Sequence, residues 1–321
     1  MSATPAKTRI EKDSMGEMPV PADALYGAST ARAVANFPIA NRPLPPAVIH
    51  AFGHLKAACA QANLDLGKLS PELAEAIIAA ADEVAQGKHD AHFPVDVYQT
   101  GSGTSTNMNA NEVIATRANQ KLAAGTPAST GSDTPTKVHP NDHVNMGQSS
   151  NDTFPTAMHI AGAVQFDQIL QPALESLHKA LKAKSDKWDT VVKIGRTHLM
   201  DATPIRFGQV FQGFATQALA GVDRAIDAGK SMEGLPIGGT AVGTGINTHP
   251  QFAKSVAVAL QKKLGVDFHE AIDHVEAQAT KDSFVDAHAQ LKTIAVSLSK
   301  IANDIRHLGS GPRCGIGELI L

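Results

Sequence analysis

The chain has 321 residues, of which 43% are hydrophobic, and its 28 basic residues nearly balance 31 acidic ones to give a formal charge of -3. This balance excludes a basic face for nucleic acid, and no apolar run approaches the roughly 20 residues of a membrane helix. The first residues lack the apolar core of a secretion signal, so we expect a cytoplasmic protein. Two cysteines, Cys59 and Cys314, are too few for a disulfide scaffold or an iron–sulfur cluster.

The first half of the chain predicts helices behind an irregular start. About 45 proline-rich residues come first, and we expect them to form extended segments and turns. Apolar side chains at helical spacing then predict helices over residues 47–66, 71–85 and 107–122. A loop rich in Gly, Ser, Thr and Pro is predicted for residues 123–136.

The second half predicts longer helices, over residues 154–184, 207–230 and 282–308. Pro172 lies inside the first of these stretches, so we expect a kink or a break there. The last stretch has the most regular apolar stripe, formed by Phe284, His288, Leu291, Ile294, Leu298, Ile301, Ile305 and Leu308. Helices of roughly 25 to 30 residues exceed the average of about 11 to 12, which indicates a bundle of long helices.

These elements predict a mainly α protein with two domains. We expect an N-terminal helical domain over residues 1–147 and a central helical-bundle domain over residues 148–321. The apolar stripe of the last helix is long enough that a partner subunit could complete it.

Polar and small residues are concentrated in segments that adjoin the predicted helices. Residues 100–107 read TGSGTSTN, which suits the binding of a carboxylate or phosphate, although a simple Ser/Thr helix cap explains this segment alone. Residues 139–145 read HPNDHVN, and residues 148–152 read QSSND at the positive end of a long helix dipole. An anion there gains about 0.3–1 kcal/mol from the dipole. Capping by Asn151 or Asp152 is compatible with such binding.

A fourth polar segment carries the candidate acid or base. Residues 195–204 read GRTHLMDATP, and His198 in this predicted turn is a better candidate for proton transfer than a histidine on an apolar stripe. The glycine-rich residues 238–245 lack the Gly-Lys-Ser/Thr of a phosphate loop, and residues 269–274 do not fit the HExxH spacing of zinc peptidases. We therefore predict no metal ion and no cofactor, and polar loops that bind a small anion.

Taken together, these segments resemble class II fumarase of the fumarase/aspartase superfamily, and the similarity runs along nearly the whole chain. The segments that carry it are EKDSMG from Glu11, TGSGTSTNMNANEV from Thr100, VHPNDHVN from Val138, QSSNDTFPTAMH from Gln148, GRTHLMDATP from Gly195, GGTAVGTGINTHP from Gly238 and SGPRCGIGE from Ser310. Because several such segments follow in the same order, the signal is specific.

The resemblance implies a role for each polar segment. His198 would be the catalytic histidine, which helps to activate the water that is added or lost. The substrate would be bound by Ser102, Gly103, Thr104, Ser149, Ser150, Asn151 and Thr197. A second, outer dicarboxylate site would be formed by His139, Pro140, Asn141 and Asp142. Some relatives have Arg-Lys before this outer site, where this chain has Thr136-Lys137, so a bidentate partner for a carboxylate is missing there.

The reaction that the resemblance implies is the reversible anti hydration of fumarate to L-malate, a step of the tricarboxylic acid cycle that needs no cofactor. It also implies a homotetramer whose active sites are shared between subunits. In the family, a GSSxMPxKxNP loop carries the proposed base, and this chain ends at Leu321 before any such loop. We therefore expect a truncated chain that lacks the C-terminal domain, and truncation can leave it inactive.

Two alternatives stay open. Aspartase-like sequences usually have Gly-Ala-Gly-Thr-Ser at the place of Gly101–Ser105 and Leu-Gly-Ala-Thr-Ala at the place of Ile237–Ala241, and both differences favour fumarase. A truncated chain could instead be a non-catalytic fragment that binds dicarboxylates and exposes its apolar stripe. Fumarate assays with and without ammonium test the first alternative, and the solubility of the chain tests the second.

Overall fold

The structure is a computed structural model that describes residues 7–125 and 137–321. Compact packing divides the chain into two units. The first unit holds the described residues up to Gly162 together with Glu233–Lys281, and the second holds Ala163–Met232 together with Asp282–Leu321. The domain division predicted between residues 147 and 148 stays a prediction.

Between residues 7 and 165 the described chain begins with a hairpin, in which β1 (Thr8–Asp13) pairs antiparallel with β2 (Gly16–Pro21). The helices that follow are α1 (Ala28–Asn36), α2 (Pro46–Asp65), α3 (Pro71–Ala85), α4 (Thr104–Gly125) and α5 (Ser150–Gln165). A short helical turn, Pro140–Val144, lies between α4 and α5.

Beyond residue 165, α5 continues into a π-helical turn, Phe166–Leu170, which leads to the next helix. The helices of this part are α6 (Gln171–Lys187), α7 (Phe207–Lys230), α8 (Phe252–Leu264), α9 (His274–Ala279) and α10 (Asp282–Leu308). The strands are β3 (Val192–Thr197), β4 (Met200–Arg206), β5 (Gly234–Leu235) and β6 (His269–Glu270). β3 pairs antiparallel with β4, and β5 pairs parallel with β6.

The predicted mainly α fold is confirmed, and α3, α7 and α10 have the predicted bounds. At Pro172 the helix is not broken: it changes from α to π over Phe166–Leu170, and α6 begins directly after that turn, one residue before the proline. The predicted start of α5 was four residues too late: the helix begins at Ser150 and contains Pro155. The predicted loop at residues 123–136 falls mostly on residues 126–136, which lie outside the described part.

In the first unit α2 is the central helix. Phe52, Leu55 and Cys59 on this helix have no exposed surface. α2 packs against α3, α4 and α8, and burial on several sides explains why its sequence is apolar around most of its circumference. This rigid centre supports the starts of α4 and α5, where the polar segments lie.

In the second unit α6, α7 and α10 form a helical core around aromatic rings. The indole of Trp188 lies edge-on to Phe207 and Phe211, with ring centroids 5.4 and 4.9 Å apart. Phe211 also meets Phe214 at 5.4 Å, and Ile301 on α10 joins the same cluster. Edge-to-face rings contribute about 0.5–1.5 kcal/mol per pair beyond their buried area. None of the helices built from residues 7–125 and 137–321 combines the length and the apolar character that crossing a membrane requires.

Candidate active site

A chain of three hydroxyl groups joins the starts of α4 and α5. Ser102 Oγ lies 3.0 Å from Thr104 Oγ1, which lies 2.8 Å from Ser150 Oγ. Ser102 and Thr104 come from the segment before α4, and Ser150 is the first residue of α5. The structure therefore brings together two residues that are 46 positions apart in the sequence, and their substrate-binding role stays a prediction.

Gly103 sits in the middle of this cluster for a steric reason. Its φ of +69° favours glycine, and a Cβ atom there would lie 2.1 Å from the ring of Phe154. The backbone before α4 consequently lies directly on the α5 phenyl ring, and this contact aligns Thr104 with Ser150. Gly103 shapes the cluster through its backbone.

Two hydrogen bonds at Ser149 close the first turn of α5. The backbone N–H of Asn151 donates to Ser149 Oγ over 3.2 Å, and the backbone N–H of Ser149 donates to Asp152 Oδ1 over 2.9 Å. The bond from Ser149 to Asp152 is one half of a capping box, and both bonds order the start of the helix, at the positive end of its dipole. The amide of Asn151 donates in turn to the carbonyl of Ala241 over 2.8 Å.

Asp152 connects the start of α5 to the glycine-rich segment at residues 238–245. Its Oδ2 accepts the backbone N–H groups of Gly238 and Thr240 over 3.1 and 2.9 Å. Burial raises the pKa of Asp152 to about 6, although the backbone donors lower it. Thr240 has a φ of +57°, which is strained for a β-branched residue, and Asp152 helps to hold it there.

Two cavities open beside the hydroxyl cluster. One of about 380 Å³ is lined by Thr104, Ser149 and Ser150 together with Thr240. Another of about 330 Å³ is lined by Ser102, Asn151 and residues of the glycine-rich segment and α9. Several of the predicted donors of the first unit thus border these two cavities. Sequence reasoning missed Thr240, whose only signal was its place in the glycine-rich motif.

A buried lysine lies behind the wall of the larger of these two cavities. Lys56 on α2 has no exposed surface, and its ammonium donates to Asn107 Oδ1, Asn145 Oδ1 and Gln148 Oε1 over 2.8, 2.9 and 2.8 Å. All three acceptors line the cavity of about 380 Å³. Burial lowers the pKa of Lys56 to about 8. The sequence did not reveal this residue, because a single lysine in an apolar helix looks like a solvated side chain.

The predicted outer site is a compact turn on the first unit. The backbone N–H of Asp142 donates to His139 Nδ1 over 3.2 Å, and the backbone N–H of His139 donates to His143 Nδ1 over 2.8 Å. His139, Asn141 and Asp142 are exposed, whereas Pro140 is half-buried. Thr136, whose replacement of an arginine bears on this site, lies outside the described residues.

The second unit carries Thr197 and His198 on the β3–β4 hairpin. His198 and Leu199 form its two-residue turn with φ angles of +56° and +63°, the combination found in type I′ hairpin turns. The predicted polar turn is therefore a strand hairpin, and the imidazole stands at its exposed tip.

Glu318 ties this hairpin to the end of the second unit. Its Oε1 accepts from Arg196 over 2.6 Å, and its Oε2 lies 3.0 Å from Lys193 Nζ. Burial alone would raise the pKa of Glu318, but hydrogen bonds from Arg196 and Lys193 outweigh it, so the pKa lies below its ordinary value. The GRTHLMDATP and SGPRCGIGE segments, which the sequence singled out separately, are thus joined by an ion pair.

No group of three or more His, Cys, Asp or Glu residues is placed to hold a metal ion within residues 7–125 and 137–321. The hydrogen-bonding capacity of the first unit comes instead from hydroxyl and amide groups. These groups can bind and orient an anion. On the second unit, the β3–β4 hairpin carries the imidazole of His198, a side chain type that can transfer a proton.

Comparison with known proteins points to one family. A family model described as lyase matches residues 16–321. Fumarate hydratase class II of Corynebacterium efficiens is 54% identical over 319 residues, which cover 99% of this chain and 65% of that protein. Fumarate hydratase class II of Mycobacterium tuberculosis is 53% identical over 322 residues, which cover 100% of this chain and 65% of that protein.

Solved structures agree with this comparison. The crystal structure of recombinant class II fumarase from Schistosoma mansoni matches with a TM-score of 0.89 at 36% identity, covering 96% of this chain and 67% of that one. A structure of fumarate lyase:delta crystallin from Brucella melitensis matches with a TM-score of 0.88 at 43% identity, covering 97% and 66%. The chain spans about 65% of the length of the curated relatives.

Proposed function

We propose, from the premise that this chain belongs to the lyase family over residues 16–321, that it forms the substrate-binding part of a class II fumarate hydratase. The reaction is the reversible addition of water to fumarate to give L-malate. The relatives that are 53–54% identical to the chain carry this name. Aspartate ammonia-lyase is the less favoured reading, because none of these relatives bears that name.

The observation that carries the proposal is the hydroxyl cluster at the start of α5. Thr104 Oγ1 and Ser150 Oγ are 2.8 Å apart beside a cavity of about 380 Å³. Hydroxyl groups can donate to an incoming carboxylate by rotating, and the helix dipole favours the negative charge. We assign carboxylate binding to this cluster, with Ser102, Ser149 and Asn151 as further donors.

The chemistry explains why so many donors are needed. When a proton is removed from the carbon next to a carboxylate of malate, negative charge accumulates on that carboxyl group. Fixed donors that point at the developing charge stabilise it more than mobile water does. We assign the acid that assists departure of the hydroxyl to His198, because histidine is the side chain that most often serves as a general acid or base. Thr197 contacts the substrate in this proposal, and the carbon base is not assigned to a residue of this chain.

We also assign a second, outer dicarboxylate site to the turn at Pro140–Val144. Support comes from the exposed His139, Asn141 and Asp142 side chains. The carboxylate of Asp142 lies 3.1 Å from His139 Nδ1, which weakens the attraction for an anion. The outer site therefore binds less strongly than the hydroxyl cluster.

We propose a homotetramer whose active sites are shared between subunits. Apolar side chains on α7 and α10 support this assembly, because they are exposed in the single chain: Leu219 by 45%, Val285 by 69%, Leu291 by 39% and Val296 by 63%. Exposed apolar faces of this kind mark protein–protein contacts. We place the protein in the cytoplasm, which agrees with the unpaired Cys59 and Cys314.

The test is a fumarate hydration assay that follows the loss of fumarate absorbance. The 321-residue chain is compared with the same chain completed by the segment of the Corynebacterium efficiens relative that it does not span. We expect the completed chain to hydrate fumarate without ammonium. Activity that appears only with ammonium would assign the aspartase reaction instead, and a folded completed chain that is silent in both assays would reject the proposal.

A further inference from the structure

The most unusual charged group of the first unit is Lys56. Its side chain has no exposed surface, yet none of the ion pairs formed by residues 7–125 and 137–321 includes it. Lysines are almost never fully buried unless they are paired, because an uncompensated charge loses its hydration. The groups around Lys56 must therefore explain how a positive charge is kept in the interior.

The groups that Lys56 contacts belong to three of the polar sequence segments. Asn107 comes from the start of α4, Asn145 from the segment after the Pro140–Val144 turn, and Gln148 from the segment before α5. Asn107 also donates to Asn145 Oδ1 over 3.1 Å and accepts from Thr153 Oγ1 over 3.1 Å. One ammonium group thus holds the amides that line the larger cavity at the hydroxyl cluster.

The surrounding titratable groups do not neutralise this charge by direct contact. On α2 the nearest is Cys59, whose thiol pKa is raised by burial, so it is uncharged at neutral pH. On α5 it is Asp152, whose carboxylate is already occupied by the backbone N–H groups of Ser149, Gly238 and Thr240. The side chains that face Lys56 from α4 and from residues 145–148 are neutral amides. An anion in the adjacent cavity would supply the missing negative charge.

We propose that Lys56 is the fixed positive charge of this cavity, a positioning residue that orients Asn107, Asn145 and Gln148 and whose charge is balanced by the bound dicarboxylate. This inference rests on the proposed function and deepens it. Lys56 acts through the amides, since it does not line the cavity itself. The ammonium bonds the oxygens of amides that line the cavity, so its positive potential reaches an anion there at short range.

The inference has a defined pH dependence. A bound anion favours the ammonium form, so binding raises the pKa of Lys56 from about 8. Affinity is then complete below the pKa of the free protein and falls as pH rises through the higher pKa of the complex. Both carboxyl groups of L-malate are ionised throughout this range, so the ligand's own charge stays constant.

The experiment measures L-malate binding to the 321-residue chain by calorimetry at about pH 7 and about pH 9.5. It compares the wild type with Lys56→Met, which keeps the apolar stem without the charge, and with Cys59→Ala. Cys59 is the matched control, because it lies one turn away on α2 and is equally buried but carries no charge. We expect Lys56→Met to bind more than about tenfold more weakly at pH 7. We expect the wild type and Cys59→Ala to lose about tenfold between the two pH values, and Lys56→Met to show no such loss.

Equal affinity of Lys56→Met and the wild type, or an equal loss in Cys59→Ala, would overturn the inference. So would the absence of L-malate binding by the wild-type chain.

If Lys56→Met does not fold, the pKa of Lys56 in the wild type is followed by NMR through its Cε and Nζ signals. A rise in that pKa with L-malate supports the inference, and an unchanged pKa with malate bound overturns it. The fumarate hydration assay separates this inference from the proposed function. If the completed chain hydrates fumarate equally well with and without Lys56, only the inference is rejected. If L-malate binding depends on the charge of Lys56 but no hydration occurs, only the proposed function is rejected.

Discussion

The donors beside the cavity of the first unit are held by buried partners, whereas His198 of the second unit stands on the exposed tip of a hairpin. Asp152 accepts the backbone N–H of Ser149, Ser149 accepts that of Asn151, and Lys56 holds the amides that line the cavity. The β3–β4 hairpin is held from one side by Glu318. The contrast fits the two proposed roles, since charge stabilisation requires immobile dipoles and proton transfer requires an ionisable side chain that the reacting group can reach.

The largest expected effect is the loss of proton transfer when His198 on the β3–β4 hairpin is replaced. In the completed chain, His198→Asn should lower the rate of fumarate hydration by about 10² to 10⁴, because an amide cannot transfer a proton. Binding of L-malate should change much less, as the donors of the first unit are intact. Hydration and calorimetry together check this split. His307→Asn, another exposed histidine of the second unit, is the control, and an equal loss in both variants would contradict the role of His198.

Asp152→Asn breaks the buried framework of the first unit. The amide keeps one acceptor and turns an N–H₂ group towards backbone N–H donors, so we expect a loss of roughly 2–4 kcal/mol in the free energy of unfolding. Urea denaturation measures it. Asp142→Asn, an exposed carboxylate in the same unit, should be nearly neutral. Equal stability of Asp152→Asn and the wild type would show that the three N–H contacts carry little weight.

The raised pKa of Asp152 also predicts a pH effect. Between about pH 4 and pH 6 the folded protein keeps a proton on Asp152 that the unfolded chain has released. The contribution of this group to stability therefore decreases as pH rises through that window. The stability of the wild type relative to Asp152→Asn should fall by about 2–3 kcal/mol over it. A constant difference from pH 4 to pH 7 would contradict the raised pKa.

Much of this framework could be predicted from the sequence, and the limits have physical causes. Helices α3, α7 and α10 were predicted correctly because an apolar stripe fixes both the period and the ends of an amphipathic helix. Helix α1 was missed because its small residues have little apolar periodicity, and its start is fixed by Glu112, 82 to 85 residues away. Such a long-range cap has no local signal.

The site shows the same limit. Ser102, Thr104 and Ser150 are close together, as the resemblance implied, but the substrate-binding role of each predicted residue stays a prediction. Lys56 was not predicted, because its function depends on three amides that the fold brings from 51 to 92 residues away. The hairpin under His198 was seen only as a polar turn, since positive φ angles at His198 and Leu199 have no composition signal without glycine or asparagine.

Replacing Gly103 tests the packing of the hydroxyl cluster without altering any polar side chain. Gly103→Ala places a methyl group 2.1 Å from the ring of Phe154 at a positive φ, so we expect a loss of roughly 1–3 kcal/mol in unfolding free energy and weaker L-malate binding. Gly101→Ala is the matched control, because a Cβ there meets nothing within 4 Å. Thermal unfolding and calorimetry measure both variants. Equal behaviour of the two would contradict the claim that Gly103 aligns the cluster.

The smallest effect concerns the anchor of the hairpin. Glu318→Gln weakens the contacts to Arg196 and Lys193, and partly exposed ion pairs contribute under about 1 kcal/mol. We expect little change in global stability but faster amide hydrogen exchange at the β3–β4 turn, which NMR can measure. Asp189→Asn, which removes an exposed ion pair with Arg206 at the base of the hairpin, should leave the turn unchanged. Unaltered exchange in Glu318→Gln would show that Glu318 does not hold the hairpin.

The central claim is that the hydroxyl cluster at the starts of α4 and α5 binds a substrate carboxylate. A crystal structure of the completed chain with L-malate tests it most directly. The account predicts a carboxylate within hydrogen-bonding distance of Thr104 Oγ1 and Ser150 Oγ, in front of the amides that Lys56 holds. L-Malate found only at the turn of residues 139–142, with the cavity beside Ser150 free of ligand, would contradict it.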